Sequence, residues 1–178
     1  MLFGDFLELI ESEHSSSNMP YLAQTTLFEQ IPQLKKDIIV PELTSLETNA
    51  YSDQFLQADY PITTNAWFGP SGTISPCHQD RFHNFLCQVV GRKRIVLFHR
   101  KYHAELYPHS GTILYNTSQI QLEDVDYTQY PEFKKVDTAY VCELNAGEML
   151  YIPPKWWHYV ESLEISFSVN FWWGVPRV

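Results

Sequence analysis

The sequence is poor in basic residues, and this shortage limits the partners it can have. Its 178 residues include 12 Lys and Arg against 21 Asp and Glu, which gives a formal net charge of −9. A surface that binds nucleic acid is normally rich in Lys and Arg, because it has to neutralise phosphates. We therefore expect no direct binding to nucleic acid. A basic peptide partner is compatible with the charge, and so is an acidic surface that serves only solubility.

Cysteine is scarce, and long apolar runs are absent. The three cysteines, Cys77, Cys87 and Cys142, form no C-x-x-C pair, and each lies in an apolar, strand-like run. We predict free thiols in a reducing intracellular compartment, nuclear or cytoplasmic. No run approaches the roughly 20 apolar residues of a membrane span, and the acidic N-terminus is unlike a signal peptide. The sequence thus predicts a soluble protein without membrane contact.

Aromatic residues are abundant, at 15% of the chain, which favours a β-rich fold. Helices are predicted over residues 2–12 and about 22–30. Strands are predicted at 62–68, 73–80, 84–90, 93–99, 138–144, 147–152 and 163–173, with a hairpin at Gly91-Arg92 and a long surface insertion at 100–137. Many short strands indicate a sandwich or barrel. We expect one domain, with residues 1–60 packing as a helical and irregular segment on a barrel of residues 61–178.

The last predicted strand has two different faces. Ile165, Phe167, Val169, Phe171 and Trp173 alternate with a second, partly polar set. That second set comprises Ser166, Ser168, Asn170 and Trp172. The apolar face belongs in the barrel wall, whereas the polar face lines either a ligand-filled interior or the solvent, since a dry interior would leave its polar groups unpaired.

An H-x-D triplet and a distant histidine suggest a metal site. In a β-strand, His78 and Asp80 point to the same face and Cys77 to the other. His158 could join them only from another strand. Two imidazoles and a carboxylate form the ligand set of non-haem Fe(II) oxygenases, but the triplet alone is weak evidence. We interpret His83, His99, His103 and His109 as surface or loop histidines without a ligand role.

Several further motifs occur in a recognisable order. They are Asn65-Ala66-Trp67-Phe68-Gly69-Pro70, Thr73-Ile74-Ser75-Pro76-Cys77-His78-Gln79-Asp80, Asn84-Phe85-Leu86, Gly91-Arg92-Lys93, Tyr107-Pro108-His109, Asn116-Thr117-Ser118-Gln119, Asn145-Ala146-Gly147-Glu148 through Pro153, and Trp157-His158-Tyr159-Val160. Together they resemble the JmjC-domain oxygenases of the cupin superfamily, nearest to the lysine demethylase eight and arginyl hydroxylase subgroup. The resemblance implies a mainly β fold, a double-stranded β-helix (jelly-roll) barrel with short N-terminal helices.

The resemblance also implies a cofactor and a cosubstrate site. His78, Asp80 and His158 match the family's Fe(II) ligands, and Lys93 matches the lysine that binds the distal carboxylate of 2-oxoglutarate. Further matches around this cosubstrate are Tyr21, Ser75, Asn84 and Trp172. Asn170 departs from the subgroup's small hydroxyl residue, and Arg81-Phe82-His83 departs from its more neutral loop, so substrate preference is open.

The implied activity is a 2-oxoglutarate- and O2-dependent dioxygenase acting on a protein or peptide. We expect hydroxylation of a basic side chain, arginyl or lysyl, coupled to succinate formation, with demethylation of N-methyl-lysine in histones as the alternative. A peptide-binding barrel without turnover and a structural zinc site also stay open. Since little of the family's N-terminal part precedes Tyr21, the chain can be a short isoform or a fragment; we expect a monomer.

Overall fold

Two antiparallel sheets form the body of the protein. A computed structural model describes residues 3–11, 20–45 and 62–174. The first sheet has the order β1-β2-β9-β4-β7 and the second the order β3-β8-β5-β6. The strands are β1 Leu22–Thr25, β2 Thr63–Gly69, β3 Ile74–Gln79, β4 His83–Val90, β5 Arg92–Phe98, β6 Tyr140–Asn145, β7 Met149–Ile152, β8 Trp157–Ser162 and β9 Ser166–Trp173. The predicted jelly-roll barrel is therefore confirmed.

The helices are short and lie mostly near the N-terminus. α1 spans Phe3–Glu11 and α2 spans Leu27–Gln30. Four 3-10 helices cover Pro32–Asp37, Glu42–Ser45, Arg100–Tyr102 and Pro131–Lys135. Within the described residues, no helix is long and apolar enough to cross a membrane.

Apolar side chains fill three layers. Between the sheets lie Leu86, Ile95, Leu97, Leu144, Ile152 and Val160. Outside the first sheet, α2 packs Leu27 and Phe28 against Val169, Phe171 and Trp173 of β9. Because the opposite face of β9 is also buried, with Ser166, Ser168 and Asn170 at most 1% exposed, its polar residues point into the barrel and not to solvent.

The insertion predicted at 100–137 packs on the outside of the second sheet. Cys77 from β3 and Trp157 from β8 pack there against Tyr102 and Leu106 of the insertion. Cys77 thus points away from the interior while His78 lies on the other side, which is the alternation that the strand period predicts. All three cysteines are free.

Three predicted elements were wrong. Residues 22–30 are not one helix, because β1 pairs with β2 and only α2 is helical. The predicted strands include none at Trp157–Ser162, which forms β8 and carries His158. Gly91 does not close a hairpin: β4 and β5 belong to different sheets, and the single connecting residue, with φ of 71°, turns the chain from one sheet to the other. The smallest common hairpin loop has two residues.

Candidate active site

Three side chains that can bind a metal meet between β3 and β8. His78 and His158 face each other in the antiparallel register, and Asp80 follows the end of β3 by one residue. The ligand atoms lie within 4.8 Å of one another. Oδ2 of Asp80 is 3.9 Å from Nε2 of His78 and 3.6 Å from Nε2 of His158. The structure thus brings the three predicted ligands together, with His158 arriving on a second strand.

Backbone carbonyls orient both imidazoles. Nδ1 of His78 lies 2.7 Å from the carbonyl oxygen of Pro76, and Nδ1 of His158 lies 3.1 Å from that of Trp156. Since a carbonyl oxygen can only accept, each Nδ1 carries the donated proton. With its proton on Nδ1, the neutral form of each ring has the lone pair of Nε2 directed at the cluster, as a metal ligand requires.

The electrostatics of the cluster suit a cation. Burial, with a smaller contribution from His78, lowers the pKa of His158 to about 3, although its hydrogen bond to Trp156 opposes this. His158 is therefore neutral at physiological pH. Burial also raises the pKa of the Asp80 carboxyl, against the opposing effect of His78. A desolvated carboxylate beside the neutral imidazole of His158 is stabilised by a divalent cation, and the donor set suits Fe(II), with Zn(II) as the other candidate.

A narrow cavity begins at this cluster and runs into the barrel. It is lined by the triad and by the five residues that the resemblance assigned to the cosubstrate: Tyr21, Ser75, Asn84, Lys93 and Trp172. Asn170, on the polar face of β9, lines it as well. Tyr21 directly precedes β1, and the other side chains come from β3, β4, β5 and β9, which are distant in sequence. The fold thus places the predicted metal ligands and the predicted cosubstrate residues around one cavity.

Lys93 is the cation of this cavity. Its side chain is only 1% exposed, and no carboxylate of the described residues lies within ion-pair distance of its ammonium. The ammonium lies 6.0 Å from the centre of the Tyr21 ring. Burial lowers the pKa of Lys93 from its ordinary 10.5 to about 8. A buried cation without an anionic partner indicates a site for an anion.

Hydrogen bonds fix the polar side chains of the cavity wall. The Tyr21 hydroxyl and Ser75 Oγ are 3.3 Å apart. Asn170 donates through Nδ2 to Oδ1 of Asn84 at 3.0 Å, and it accepts from the Trp67 indole at 3.0 Å. The buried indole N–H of Trp172 has no hydrogen-bond partner in the described part of the chain. The indole N–H of Trp172 is therefore available to donate a hydrogen bond.

A wider cleft of about 680 Å³ opens outside the metal cluster. Asp80 and Trp172 line both spaces, and the Phe82 ring stacks on Trp172 with centroids 5.2 Å apart and planes inclined by 9°. No periodicity in the sequence predicts this position of Phe82. His83 was interpreted as a surface or loop histidine, which is wrong: it lies in β4, is 1% exposed, and its Nδ1 is 2.7 Å from the Tyr151 hydroxyl.

Comparison with known proteins agrees with this geometry. Residues 1–176 match a family described as "Cupin-like domain". The chain is 46% identical to Lysine-specific demethylase JMJ30 of Arabidopsis thaliana over 97% of its length, and 48% identical to Lysine-specific demethylase 8 of Xenopus tropicalis over 86%. It is 44% identical over 92% of its length to Jumonji C domain-containing protein 5 of Drosophila melanogaster.

The chain spans 38%, 33% and 39% of the lengths of these three relatives, respectively. The similarity therefore concerns the barrel and its site and not the whole of those proteins. With the jelly-roll sheets, the His-Asp-His cluster and the family match in agreement, the chain belongs to the cupin-like JmjC-domain family, in the subgroup of lysine-specific demethylase 8.

Proposed function

We propose that this chain is an Fe(II)- and 2-oxoglutarate-dependent oxygenase that modifies a protein side chain. The observation that carries the proposal is the combination of a His-Asp-His cluster with a buried, unpaired ammonium in one cavity. A structural zinc site would account for the cluster but not for the buried, unpaired ammonium of Lys93. A dicarboxylate that reaches from the metal to Lys93 uses both.

His78, Asp80 and His158 would hold the iron, and the other residues would hold the cosubstrate. Bound iron, with 2-oxoglutarate and O2, supplies the oxidative decarboxylation to succinate and CO2 that hydroxylates a C–H bond. Lys93 provides the charge for the distal carboxylate. Tyr21 and Ser75 provide hydroxyl groups beside it, which offset the desolvation of the anion.

The cavity has to widen when the cosubstrate enters. Its volume is about 30 Å³, which leaves room for about one or two water molecules. A five-carbon dicarboxylate is several times larger. The long Lys93 side chain and the ring of Tyr21 or Trp172 therefore have to move, and we expect binding to involve side-chain rearrangement rather than entry into a rigid pocket.

Two reactions on a basic side chain fit this site. Hydroxylation of a carbon of an arginyl or lysyl residue leaves a stable product. Hydroxylation of an N-methyl group on lysine instead releases formaldehyde, so that the net result is demethylation. The names of the lysine-specific demethylases to which the chain is similar support the second reaction at least as well as the first.

The decisive experiment combines spectroscopy with mass spectrometry. Anaerobic protein with Fe(II) and 2-oxoglutarate should show a weak visible charge-transfer band, which His78→Ala abolishes and which Lys93→Ala weakens at low cosubstrate concentration. Mass spectrometry of a panel of arginine-, lysine- and methyl-lysine-containing peptides then separates the gain of one oxygen from the loss of a methyl group.

A barrel that binds peptides without turnover is the competing proposal. It predicts peptide binding without the band and without succinate. Absence of both signals in a folded protein whose iron content has been verified would therefore remove the enzyme proposal. A protein that retains zinc and gives no band would favour the structural zinc site.

A further inference from the structure

The cleft outside the metal cluster has a charge opposite to that of the whole chain. Four of its lining residues, Arg81, Arg100, Lys101 and Lys155, are cations, out of 12 Lys and Arg in the sequence. Asp80 is the single carboxylate that lines this cleft within the described residues, and it belongs to the metal cluster. In a chain with a net charge of −9, this concentration of cations marks a local site for anions.

We propose that this cleft selects protein substrates in which acidic residues flank the target side chain, through Arg81 and Lys155. The proposal rests on the oxygenase function proposed above, since it defines what approaches that centre. Arg81 and Lys155 are both exposed, and neither lies within ion-pair distance of a carboxylate in the ranges that the structure describes.

Both cations are tied to the backbone of the metal ligand Asp80. Arg81 follows Asp80 directly, and its guanidinium lies 5.7 Å from the centre of the Phe82 ring. The backbone N–H of Lys155 donates to the carbonyl oxygen of Asp80 at 2.6 Å. The backbones of both residues are therefore fixed beside Asp80, and both residues line the cleft that opens outside the metal cluster.

The backbone of Lys155 gives independent support. Lys155 has a φ of 63°, in the left-handed region that glycine occupies without strain and lysine does not. Strain of this kind occurs preferentially at functional sites, where the surroundings enforce it. A lysine at a position that favours glycine indicates that the side chain has a use.

Lys101 is less available than Arg81 and Lys155. Its ammonium lies 4.0 Å from Asp137 and 4.6 Å from the centre of the Tyr102 ring. We therefore assign recognition of the acidic flanks to Arg81 and Lys155. Lys101 contributes only to the positive electrostatic potential around the cleft.

Acidic flanks also resolve a conflict in the proposed function. A cationic lysyl or arginyl target would be repelled by this cleft, because like charges at close range are unfavourable. Acidic neighbours that pair with Arg81 and Lys155 remove that repulsion and leave the target side chain directed at the metal. A polyanion such as RNA would satisfy the same cations, but the net charge of −9 opposes a long anionic strand beyond the cleft.

The test measures binding in the absence of turnover. Protein loaded with Mn(II) and 2-oxoglutarate is titrated into fluorescent peptides that share a central arginine and differ only in flanks of Asp and Glu, of Asn and Gln, or of Lys. A short single-stranded RNA is the fourth probe. We expect the acidic-flanked peptide to bind roughly tenfold more tightly than the neutral one, with a preference that weakens as salt is added.

Three variants separate recognition from folding. The double variant Arg81→Glu, Lys155→Glu should reverse the order of the peptides. Lys155→Gly should weaken the acidic peptide while raising the melting temperature, because it removes the strained backbone together with the charge. Lys134→Glu, an exposed lysine on the 3-10 helix Pro131–Lys135 and outside the cleft lining, is the matched control and should leave the order unchanged.

Equal binding of the three peptides, preference for the Lys-flanked peptide, no saturable binding of the acidic one, or tighter binding of RNA would each overturn the proposal. The proposed oxygenase function has a separate readout, because it fails only if the protein does not bind Mn(II) with 2-oxoglutarate or forms no succinate with iron.

Discussion

The buried ammonium of Lys93 should reduce stability in the absence of the cosubstrate. Its pKa falls from 10.5 to about 8, which corresponds to about 3 kcal/mol at 1.36 kcal/mol per pKa unit. Replacement by methionine keeps an unbranched chain of similar size and removes the charge. We therefore expect Lys93→Met to raise the free energy of unfolding at pH 7 by roughly 1–3 kcal/mol, the upper value being that desolvation cost.

The pH dependence gives the sign of the effect independently. Because the folded pKa is the lower one, the unfolded state binds more protons between pH 8 and pH 10.5. The destabilising contribution of Lys93 is thus fully present below pH 8. Between pH 8 and pH 10.5 the free energy of unfolding rises, because Lys93 loses its proton more readily in the folded state than in the unfolded state. Lys93→Met should lose this rise, so that its advantage over the wild type shrinks at alkaline pH.

Urea unfolding of the metal-free protein at pH 7 and pH 9.5 measures the free energy of unfolding and its change with pH. The same samples with Mn(II) and 2-oxoglutarate should show ligand stabilisation in the wild type and little in Lys93→Met. Lys36→Met, at an exposed position of the 3-10 helix Pro32–Asp37, is the control for introducing methionine. A Lys93→Met protein that is less stable than the wild type at pH 7, or equally pH-dependent above pH 8, would refute the reasoning.

Four further predictions follow from the same structure. Affinity for 2-oxoglutarate, measured by calorimetry, should fall as pH rises above about 8, because Lys93 then loses the proton that attracts the carboxylate; affinity that is flat to pH 10 would contradict this role. Tyr21→Phe, which removes the hydroxyl beside Ser75, should raise the KM for 2-oxoglutarate roughly 2–10-fold and leave kcat unchanged. His158→Ala should abolish tight Mn(II) binding in a titration followed by electron paramagnetic resonance, and retention of micromolar binding would remove His158 from the ligand set. Gly91→Ala should cost more than about 2 kcal/mol in urea unfolding, because the new Cβ would lie 2.1 Å from the carbonyl oxygen of Ile165; Gly147→Ala, with a similarly positive φ but no atom within 4 Å, should cost only about 1–2 kcal/mol.

Much of the candidate site could be predicted from local sequence. The strand period placed His78 on the interior face and Cys77 on the exterior one. The motif resemblance selected Lys93 and its polar neighbours, which the fold brings around one cavity. The prediction for Cys77 and His78 succeeded because adjacent residues of a strand point to opposite faces. The period does not explain Ser75, which lines the same cavity as His78 because the register of β3 shifts between them.

Elements that depend on distant partners were harder to predict. β1 is a strand because it pairs with Phe68 and Ala66 of β2, although its own residues also suit a helix. β8 was missed: only Leu163, Glu164 and Ile165 separate it from β9, and the strand predicted at 163–173 covers only this connection and β9. The buried position of His83 depends on Tyr151 and Trp173, which stack on it from β7 and β9.

The sequence by itself determined the fold class and selected the candidate metal triad and Lys93, because strand alternation and contiguous motifs that resemble the family carry that information. Only the tertiary structure decided that β9 is buried on both faces and that Arg81, Arg100, Lys101 and Lys155 share one cleft. These cations come from three separated segments, and a local electrostatic field depends on distances in space, which the spacing along the chain does not contain.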